Sequence, residues 1–156
     1  MLWCGNFSTV DFVKQAAAFC GWDGTKTPEN RAFLSNLKDL LTEWNDVPFK
    51  KVEQAILKYE SEARMYDFDS DGVLCFIHCR EPWEIQKFVD RLGAKTLLIR
   101  RPEVENKNQS NHADAEVFNY QYDYTIDNDG TLWDLEKKAA NFVLELGYKN
   151  LRKQQK

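Results

Sequence analysis

Two continuous apolar runs constrain the fold of this chain more than any other feature of its sequence. The first, VLCFIHC, spans residues 73–79, and the second, KTLLI, spans residues 95–99. Because apolar and polar residues do not alternate along them, both runs predict strands that are covered on two faces, as in a parallel sheet. A helical pattern that begins at Pro82 separates the runs, and parallel strands need a crossover of this kind. The runs therefore predict an α/β fold.

The rest of the pattern predicts further helices and extended segments within one domain. Apolar residues at helical spacing predict helices over about 10–20, 28–44, 48–64, 82–92 and 131–146, and residues 2–7 and 122–126 are predicted to be extended. Ser8 and Thr9 are predicted to cap the first helix. The apolar faces of the helices, including Trp44 and Leu132, are expected to lie in the core. Residues 102–113 are predicted to form a polar loop. We expect a single domain over residues 1–148, followed by a basic tail, residues 149–156, that frays.

Composition excludes several classes of protein. The chain has 156 residues and a formal charge of −4, which argues against a protein that coats nucleic acid. No apolar run approaches the ~20 residues of a membrane-spanning helix, and the first residues lack the features of a secretory signal. We therefore expect a cytoplasmic protein that binds neither nucleic acid nor membrane. Its four cysteines, Cys4, Cys20, Cys75 and Cys79, form no CxxC pair and are expected to be reduced and mostly buried.

Four short patterns suggest binding sites, but a structural explanation is favoured for each. Residues 67–72 (DFDSDG) resemble the start of a calcium loop, although its twelfth position is His78 instead of Glu. Residues 21–27 (GWDGTKT) lack the GK[ST] triplet of a phosphate-binding loop and follow a predicted helix. His112, Asp114 and Glu116 offer metal-binding groups at alternate positions, but they lie beside a loop without a second cluster. His78 itself is expected to be a core histidine.

Arginines follow two of the predicted strands. Arg80 comes directly after the first apolar run, and Arg100 and Arg101 come directly after the second. Ligands of open α/β sheets bind at the carboxyl edge of the strands, and a guanidinium group matches a phosphate bidentately. The pattern therefore suggests a phosphate site. It equally allows a structural alternative, in which these arginines pair with Glu81 or Glu103.

Several segments, in this order, resemble deoxynucleoside monophosphate kinases and their P-loop relatives. The segments are STVDFVK, RAFLSNLKDLLTEWNDVPF, FIHCREPWEIQKF, LLIRRP, NHADAEVFNYQYDYTIDNDGTL and the final helix, which together cover about residues 6–147. Members of that family transfer the γ-phosphoryl group of ATP to a (deoxy)nucleoside monophosphate with the help of Mg²⁺. The resemblance implies a three-layer α/β fold with a mostly parallel sheet, and a (deoxy)nucleoside monophosphate as the ligand.

The resemblance also implies which residues face the acceptor nucleotide. Arg80 matches the arginine that holds the acceptor phosphate. Asp11 and Lys14 match the wall beside the acceptor. The helices that would cover the acceptor carry three further candidates, Arg31, Lys38 and Asp39.

The family's remaining functions fall on the second half of the chain. Arg100 and Arg101 precede a loop that resembles the family's lid, so the resemblance makes them candidates for stabilising charge in the transition state. The turn that contains Asn128 and Gly130 matches the place where the base of ATP would rest.

One part of the family pattern is missing from these residues. The family begins with a strand, a G-x-x-x-x-G-K-[ST] loop and a helix, whereas here the STVD segment lies close to Met1. That loop holds the β and γ phosphates and Mg²⁺. We therefore expect these 156 residues to be inactive as a kinase by themselves, with no cofactor demonstrable in them. Two origins stay open, a fragment of a longer kinase and a short paralogue.

The missing strand also has a structural consequence. The resemblance implies that it is the central strand, between those at 73–79 and 95–100. Without it, the neighbouring strands have unsatisfied edges that favour association, for example into a homo-oligomer. Three functions follow as alternatives: a nucleotide kinase domain without its first piece, a non-catalytic module that binds a nucleotide or phosphate, and an interaction protein that pairs through the sheet edge.

Overall fold

A computed structural model of the chain describes residues 2–66, 72–105 and 116–148. They belong to two compact units, an N-terminal unit (Met1–His78) and a C-terminal unit (Cys79–Lys156). The elements of the N-terminal unit are β1 (Leu2–Ser8), α1 (Asp11–Phe19), α2 (Pro28–Asn45), α3 (Val47–Tyr66) and β2 (Gly72–His78). Those of the C-terminal unit are α4 (Pro82–Leu92), β3 (Leu97–Arg100), a short helix α5 (Pro102–Glu105), a 3₁₀ turn (Val117–Asn119), β4 (Tyr124–Asp127) and α6 (Leu132–Glu145).

The strands form two parallel pairs, β1 with β2 and β3 with β4. This confirms the predicted α/β class with parallel strands. Within the described residues the pairs are separate two-stranded sheets, so the three-layer arrangement with one larger sheet stays a prediction. The single domain over residues 1–148 also stays a prediction.

In the N-terminal unit, aromatic rings join the first strand pair to α3. The ring of Tyr59, on α3, lies edge-on to Trp3 and Phe7, with centroids 6.0 and 5.8 Å apart. Gly5 lies between those two residues on the same strand, and a Cβ atom there would lie 2.7 Å from the Phe7 ring and 3.0 Å from the Tyr59 ring. The glycine therefore allows the helix to approach the strand closely.

The helices of this unit confirm the predicted inward faces only in part. The buried apolar residues of α1 and α3 include five that the helical spacing predicts: Val13, Ala17, Phe49, Val52 and Ile56. Helix α2 starts as predicted, because the Thr27 hydroxyl accepts a hydrogen bond from the N–H of Asn30. Its predicted core face is wrong, however, since α2 has no buried residue and Trp44 is 75% exposed. Periodicity identifies an apolar face, whereas burial depends on what packs against it.

The C-terminal unit is built on β3 and β4, and hydrogen bonds join the residues just before the two strands, Thr96 and Asp123. The carboxylate of Asp123 accepts hydrogen bonds from the N–H and the hydroxyl of Thr96, at 2.8 and 3.0 Å. The N–H of Asp123 in turn donates to the Thr96 hydroxyl at 2.8 Å. Helix α6 contacts this pair through Phe142, whose ring lies edge-on to Tyr124 at 5.2 Å.

The start of α6 follows the sequence prediction closely. Thr131 and Asp134 form a capping box, in which each side chain accepts a hydrogen bond from the backbone N–H of the other. Reciprocal bonds of this kind satisfy N–H groups that have no partner inside the helix. The predicted burial of the helix is wrong, since α6 has no buried residue and Leu132 is 73% exposed.

The two apolar runs are strands, but they are less covered than predicted. No residue of β2 or β3 is fully buried, and the end of β2 falls at His78 instead of Cys79. A two-stranded pair with few neighbours cannot cover both faces as a larger parallel sheet does. Part of the predicted loop over 102–113 is the short helix α5, and the rest lies outside the described residues, as does the basic tail.

No helix among the described residues, 2–66, 72–105 and 116–148, is long and apolar enough to cross a membrane.

The tie between the two strand starts leads to a prediction about pH. The Thr96 N–H, followed by its hydroxyl and the Lys95 ammonium, lowers the pKa of Asp123 below its ordinary value. Because the pKa of Asp123 is lower in the folded state than the ordinary carboxyl value of about 3.9, its charge stabilises the fold at pH values above about 3.9. This stabilisation is lost as the pH falls through the pKa of the folded state. We expect Asp123→Asn to lower the urea midpoint of unfolding near neutral pH. The difference from wild type should shrink in acid.

The matched control for Asp123→Asn is Glu136→Gln, which removes a carboxylate from an exposed position on α6. Its urea midpoint should stay close to that of the wild type at both pH values. A deficit of Asp123→Asn that persisted unchanged in acid would contradict the role given to the Asp123 charge.

Candidate functional site

The candidate site of the N-terminal unit begins where β1 ends and α1 starts. The Ser8 N–H donates to Asp11 Oδ2 at 3.0 Å, and the Val10 N–H lies 3.4 Å from the Ser8 hydroxyl. The helix begins at Asp11, and its N-cap residue, Val10, makes no side-chain cap. The predicted cap by Ser8 and Thr9 is therefore wrong: Thr9 is buried, and Asp11 reaches back to the strand end instead.

A groove of about 200 Å³ lies beside this strand end, between α1 and α3. Its apolar lining consists of Phe7, Phe12, Val52 and Ala55. Its polar lining consists of Ser8, Asp11, Gln15 and Lys51. Apolar walls with a few convergent polar groups are typical of small-molecule sites, so this groove is a candidate site of the N-terminal unit.

Lys51 belongs to the groove although no sequence pattern singles it out. It lies on the exposed, charged face of α3. In the structure its ammonium lies 5.2 Å from the centroid of the Phe12 ring, within the range of a cation–π contact. Only the packing of α1 against α3 brings the residue to the groove, so spacing along the sequence could not identify it.

Of the residues assigned to the acceptor side, the groove contains only Asp11. Lys14 is exposed on α1 and does not line it. Arg31, Lys38 and Asp39 all lie on α2, as predicted, and none of them lines the groove. Arg31 and Asp39 are exposed, and Lys38 is half-buried.

The arginines that follow strands all belong to the C-terminal unit. Arg80 is exposed in the short connection before α4, and Arg101 is exposed directly after β3. Arg100 is the last residue of β3, and its Nε lies 3.9 Å from Oδ1 of Asp127, its register partner on β4. The alternative to a phosphate site predicts that these arginines form ion pairs with nearby carboxylates. The partner of Arg100 in this ion pair is Asp127 instead of Glu81 or Glu103.

The turn after β4 is held by hydrogen bonds from two sides. The N–H of Asn128 donates to the carbonyl oxygen of Arg100 at 2.7 Å. The Lys138 ammonium donates to the Asp127 carbonyl and to Asp129 Oδ1, both at 2.6 Å. The hydrogen bond from Lys138 is the main cause that lowers the pKa of Asp129.

Gly130, in the same turn, lies close to the side chain of Asp134. A Cβ atom at Gly130 would lie 2.9 Å from Asp134 Oδ2, the oxygen that the capping box uses. The turn that contains Asn128 and Gly130 is therefore tied to β3 and to α6 by its hydrogen bonds, and its assignment to the base of ATP stays a prediction.

Two of the weaker sequence patterns can be compared with the structure. The segment GWDGTKT follows α1, as predicted, and forms a polar turn in which Asp23 accepts hydrogen bonds from the N–H and hydroxyl of Thr25. His78 is exposed, with its Nε2 3.3 Å from Asn6 Oδ1, so its prediction as a core histidine is wrong. His78 is the last residue of β2, and no described residue of the N-terminal unit covers its side chain fully.

The cysteines of the chain are less buried than predicted. All four cysteines are free; Cys4 and Cys20 are exposed and the other two are half-buried, so the prediction of mostly buried thiols is wrong. Burial raises the pKa of the Cys75 thiol. In the described part of the chain, no cluster of three or more His, Cys, Asp or Glu residues is arranged to hold a metal ion. His112, Asp114 and the calcium-like residues 67–71 lie outside the described residues.

Comparisons of the chain with protein-family models, with curated proteins and with solved structures found no match.

Proposed function

We propose that the chain binds a (deoxy)nucleoside monophosphate, as the acceptor-binding portion of a protein that resembles the monophosphate kinases. The observation that carries this proposal is the position of the arginines. Arg80 lies two residues beyond the end of β2, and Arg100 ends β3 with Arg101 directly behind it. Carboxyl ends of parallel strands are where α/β proteins bind ligands, and arginine suits a phosphate.

The strand pairing supports the same proposal. Among the described strands, β2 pairs only with β1, and β3 pairs only with β4. The family resemblance implies a further strand next to both β2 and β3. Each of them has an edge on which no described strand lies, and such an edge is what an additional parallel strand needs for its hydrogen bonds.

The residues of this chain do not fit Mg-ATP. The sequence contains no G-x-x-x-x-G-K-[ST] loop, and the described residues offer no cluster of metal-binding side chains. Phosphoryl transfer depends almost entirely on positioning and on charge stabilisation by such groups. We therefore assign these 156 residues a binding function, without turnover of their own.

Isothermal titration calorimetry with a panel of monophosphates tests this function. We expect at least one nucleoside or deoxynucleoside monophosphate to bind in the micromolar to millimolar range, inorganic phosphate to bind more weakly, and Mg-ATP to give no heat. A coupled assay for ADP release should detect no reaction with any monophosphate and ATP.

Two outcomes would change this proposal. If no monophosphate binds, the nucleotide function is wrong, and pairing through the open edges of β2 and β3 becomes the better explanation. Sedimentation velocity would then reveal association of the chain with itself. If ADP is released, the chain holds ATP in a way that the family pattern does not describe.

A further inference from the structure

Helix α2 carries an apolar stripe that the described residues leave largely in contact with solvent. The α2 stripe consists of Phe33, Leu37, Leu40 and Trp44, which lie on one side of the helix. Phe33 is 38%, Leu40 62% and Trp44 75% exposed, and Leu37 is half-buried. Monomeric proteins rarely leave contiguous apolar surface of this kind in water, and where they do it commonly marks an interaction site. The stripe therefore indicates a surface that another surface covers.

The spacing of the α2 stripe is that of a helix which pairs with another helix. Its members follow one another at intervals of four, three and four residues, which is the a and d spacing of a coiled-coil seam. The stripe is also symmetric about its midpoint. When a second α2 lies antiparallel across that midpoint, Phe33 of each copy faces Trp44 of the other, and Leu37 faces Leu40. Aromatic rings then meet aromatic rings, and leucines meet leucines, so the stripe is complementary to itself.

The polar residues beside the stripe match in the same arrangement. Asn36 and Glu43 are exposed and lie along one margin of the stripe. In the antiparallel pairing, Asn36 of one copy lies beside Glu43 of the other, where its amide N–H can donate to the carboxylate. The two-fold symmetry repeats this contact on the other side. The four residues of the stripe itself carry no charge, so the pairing buries no unpaired ion.

The exposed area of the stripe is that of a weak dimer. A large aromatic side chain buries about 150–250 Å², so at the exposures given above the stripe offers roughly 300–400 Å² from each copy. Two copies together bury about twice that area, below the roughly 1,200 Å² at which standard stable interfaces begin. Flanking residues such as Asn36 and Glu43 add to it. The expected dimer therefore forms in the micromolar range and depends on protein concentration.

We propose that α2 is a self-association surface, through which two copies of this chain pair antiparallel along the α2 stripe. The pairing is isologous, because the same surface serves both copies. It uses a helix face of the N-terminal unit and no strand edge, so it differs from association through β2 or β3. It requires no nucleotide, and its test is independent of the proposed binding function.

Sedimentation velocity of the full chain, at concentrations from about 1 to about 500 µM, measures the association. We expect a monomer–dimer equilibrium with a Kd in the micromolar range in the absence of nucleotide. Hydrogen–deuterium exchange should become slower in residues 28–45 as the protein concentration rises. A chain that stays monomeric over the whole range, or a dimer without added protection in α2, would overturn the proposal.

Leu40→Glu tests the apolar seam. It should raise the Kd of the dimer by at least about 10-fold, because it places a carboxylate in the seam and close to its symmetry mate. The matched control is Ser35→Glu, which adds the same charge at an exposed position on the opposite side of α2 and should change the Kd by less than about twofold. Trp44→Gln provides a second disruption that adds no charge. Far-UV circular dichroism should be unchanged in all three variants.

Asn36→Lys and Asn36→Glu test the antiparallel orientation. The lysine lies beside Glu43 of the other copy and should lower the Kd about threefold or more, since each dimer gains two ion pairs. The glutamate should raise the Kd by like-charge repulsion, and salt should reduce both effects. Equal effects of the two variants would contradict the antiparallel pairing. If Leu40→Glu associates as strongly as the wild type, the copies pair elsewhere, for example through an open strand edge, and the assignment to α2 is wrong.

Discussion

Phe49→Ala should lower the free energy of unfolding by about 3–5 kcal/mol, the usual cost of removing a buried phenylalanine side chain. Phe49 is only 4% exposed and lies in the first turns of α3, the helix that packs against β1 and contributes one wall of the groove. Its removal leaves a cavity in a small core that includes Val13 and Val52. Urea denaturation followed by far-UV circular dichroism measures the loss.

The matched control for this prediction is Leu57→Ala. Leu57 lies on the same helix and has a comparable apolar side chain, but it is 62% exposed. A substitution at such a surface position usually changes stability by no more than about 0.5 kcal/mol. If the two variants lost equal stability, the packing of α3 described above would be wrong.

Arg80→Ala should weaken the binding of a monophosphate by about 10-fold to 100-fold, which corresponds to the roughly 1.5–3 kcal/mol of a charged hydrogen bond. We propose that the Arg80 guanidinium binds the acceptor phosphate, to which it can donate two parallel hydrogen bonds. Calorimetry with the tightest-binding monophosphate provides the measurement. Arg80→Lys should recover only part of the affinity, because lysine keeps the charge but not the planar fork.

Arg91→Ala is the matched control for Arg80→Ala. Arg91 is another exposed arginine of the C-terminal unit, located in the last turn of α4 instead of at a strand end. Arg91→Ala should leave the affinity for the monophosphate almost unchanged, because salt screens the attraction between the anion and a surface charge that does not contact it. An equal loss in both variants would indicate nonspecific attraction of the anion and would contradict a phosphate site at Arg80.

The sequence predicts where α2 and α6 begin, and in both helices a local side chain caps the start. The hydroxyls of Thr27 and Thr131 accept hydrogen bonds from N–H groups only three residues away. The cap that the sequence does predict, by Ser8 and Thr9, does not form. At that point the chain leaves β1, and the side chain of Thr9 is buried. The local hydrogen bond is made by Asp11, whose carboxylate accepts from the Ser8 N–H.

The spacing of apolar residues predicted burial at some positions and not at others. Val13, Phe49 and Ile56 are buried on α1 and α3, and α3 contacts both strands of its unit. Trp44 and Leu132 occupy equally clear apolar positions and are nevertheless exposed. Periodicity specifies which residues share a face, but it contains no information about which face is covered.

The sequence by itself determined the alternation of helices and parallel strands, the starts of α2 and α6, and the presence of arginines just after two strands. These features depend on residues that are close along the chain or on the period of the backbone. Only the tertiary structure decided that Asp11 and Lys51 share a groove, that Arg100 pairs with Asp127, and that His78 is exposed. The reason is that these arrangements depend on contacts between residues far apart in sequence, which are fixed by packing and strand register and by no local pattern.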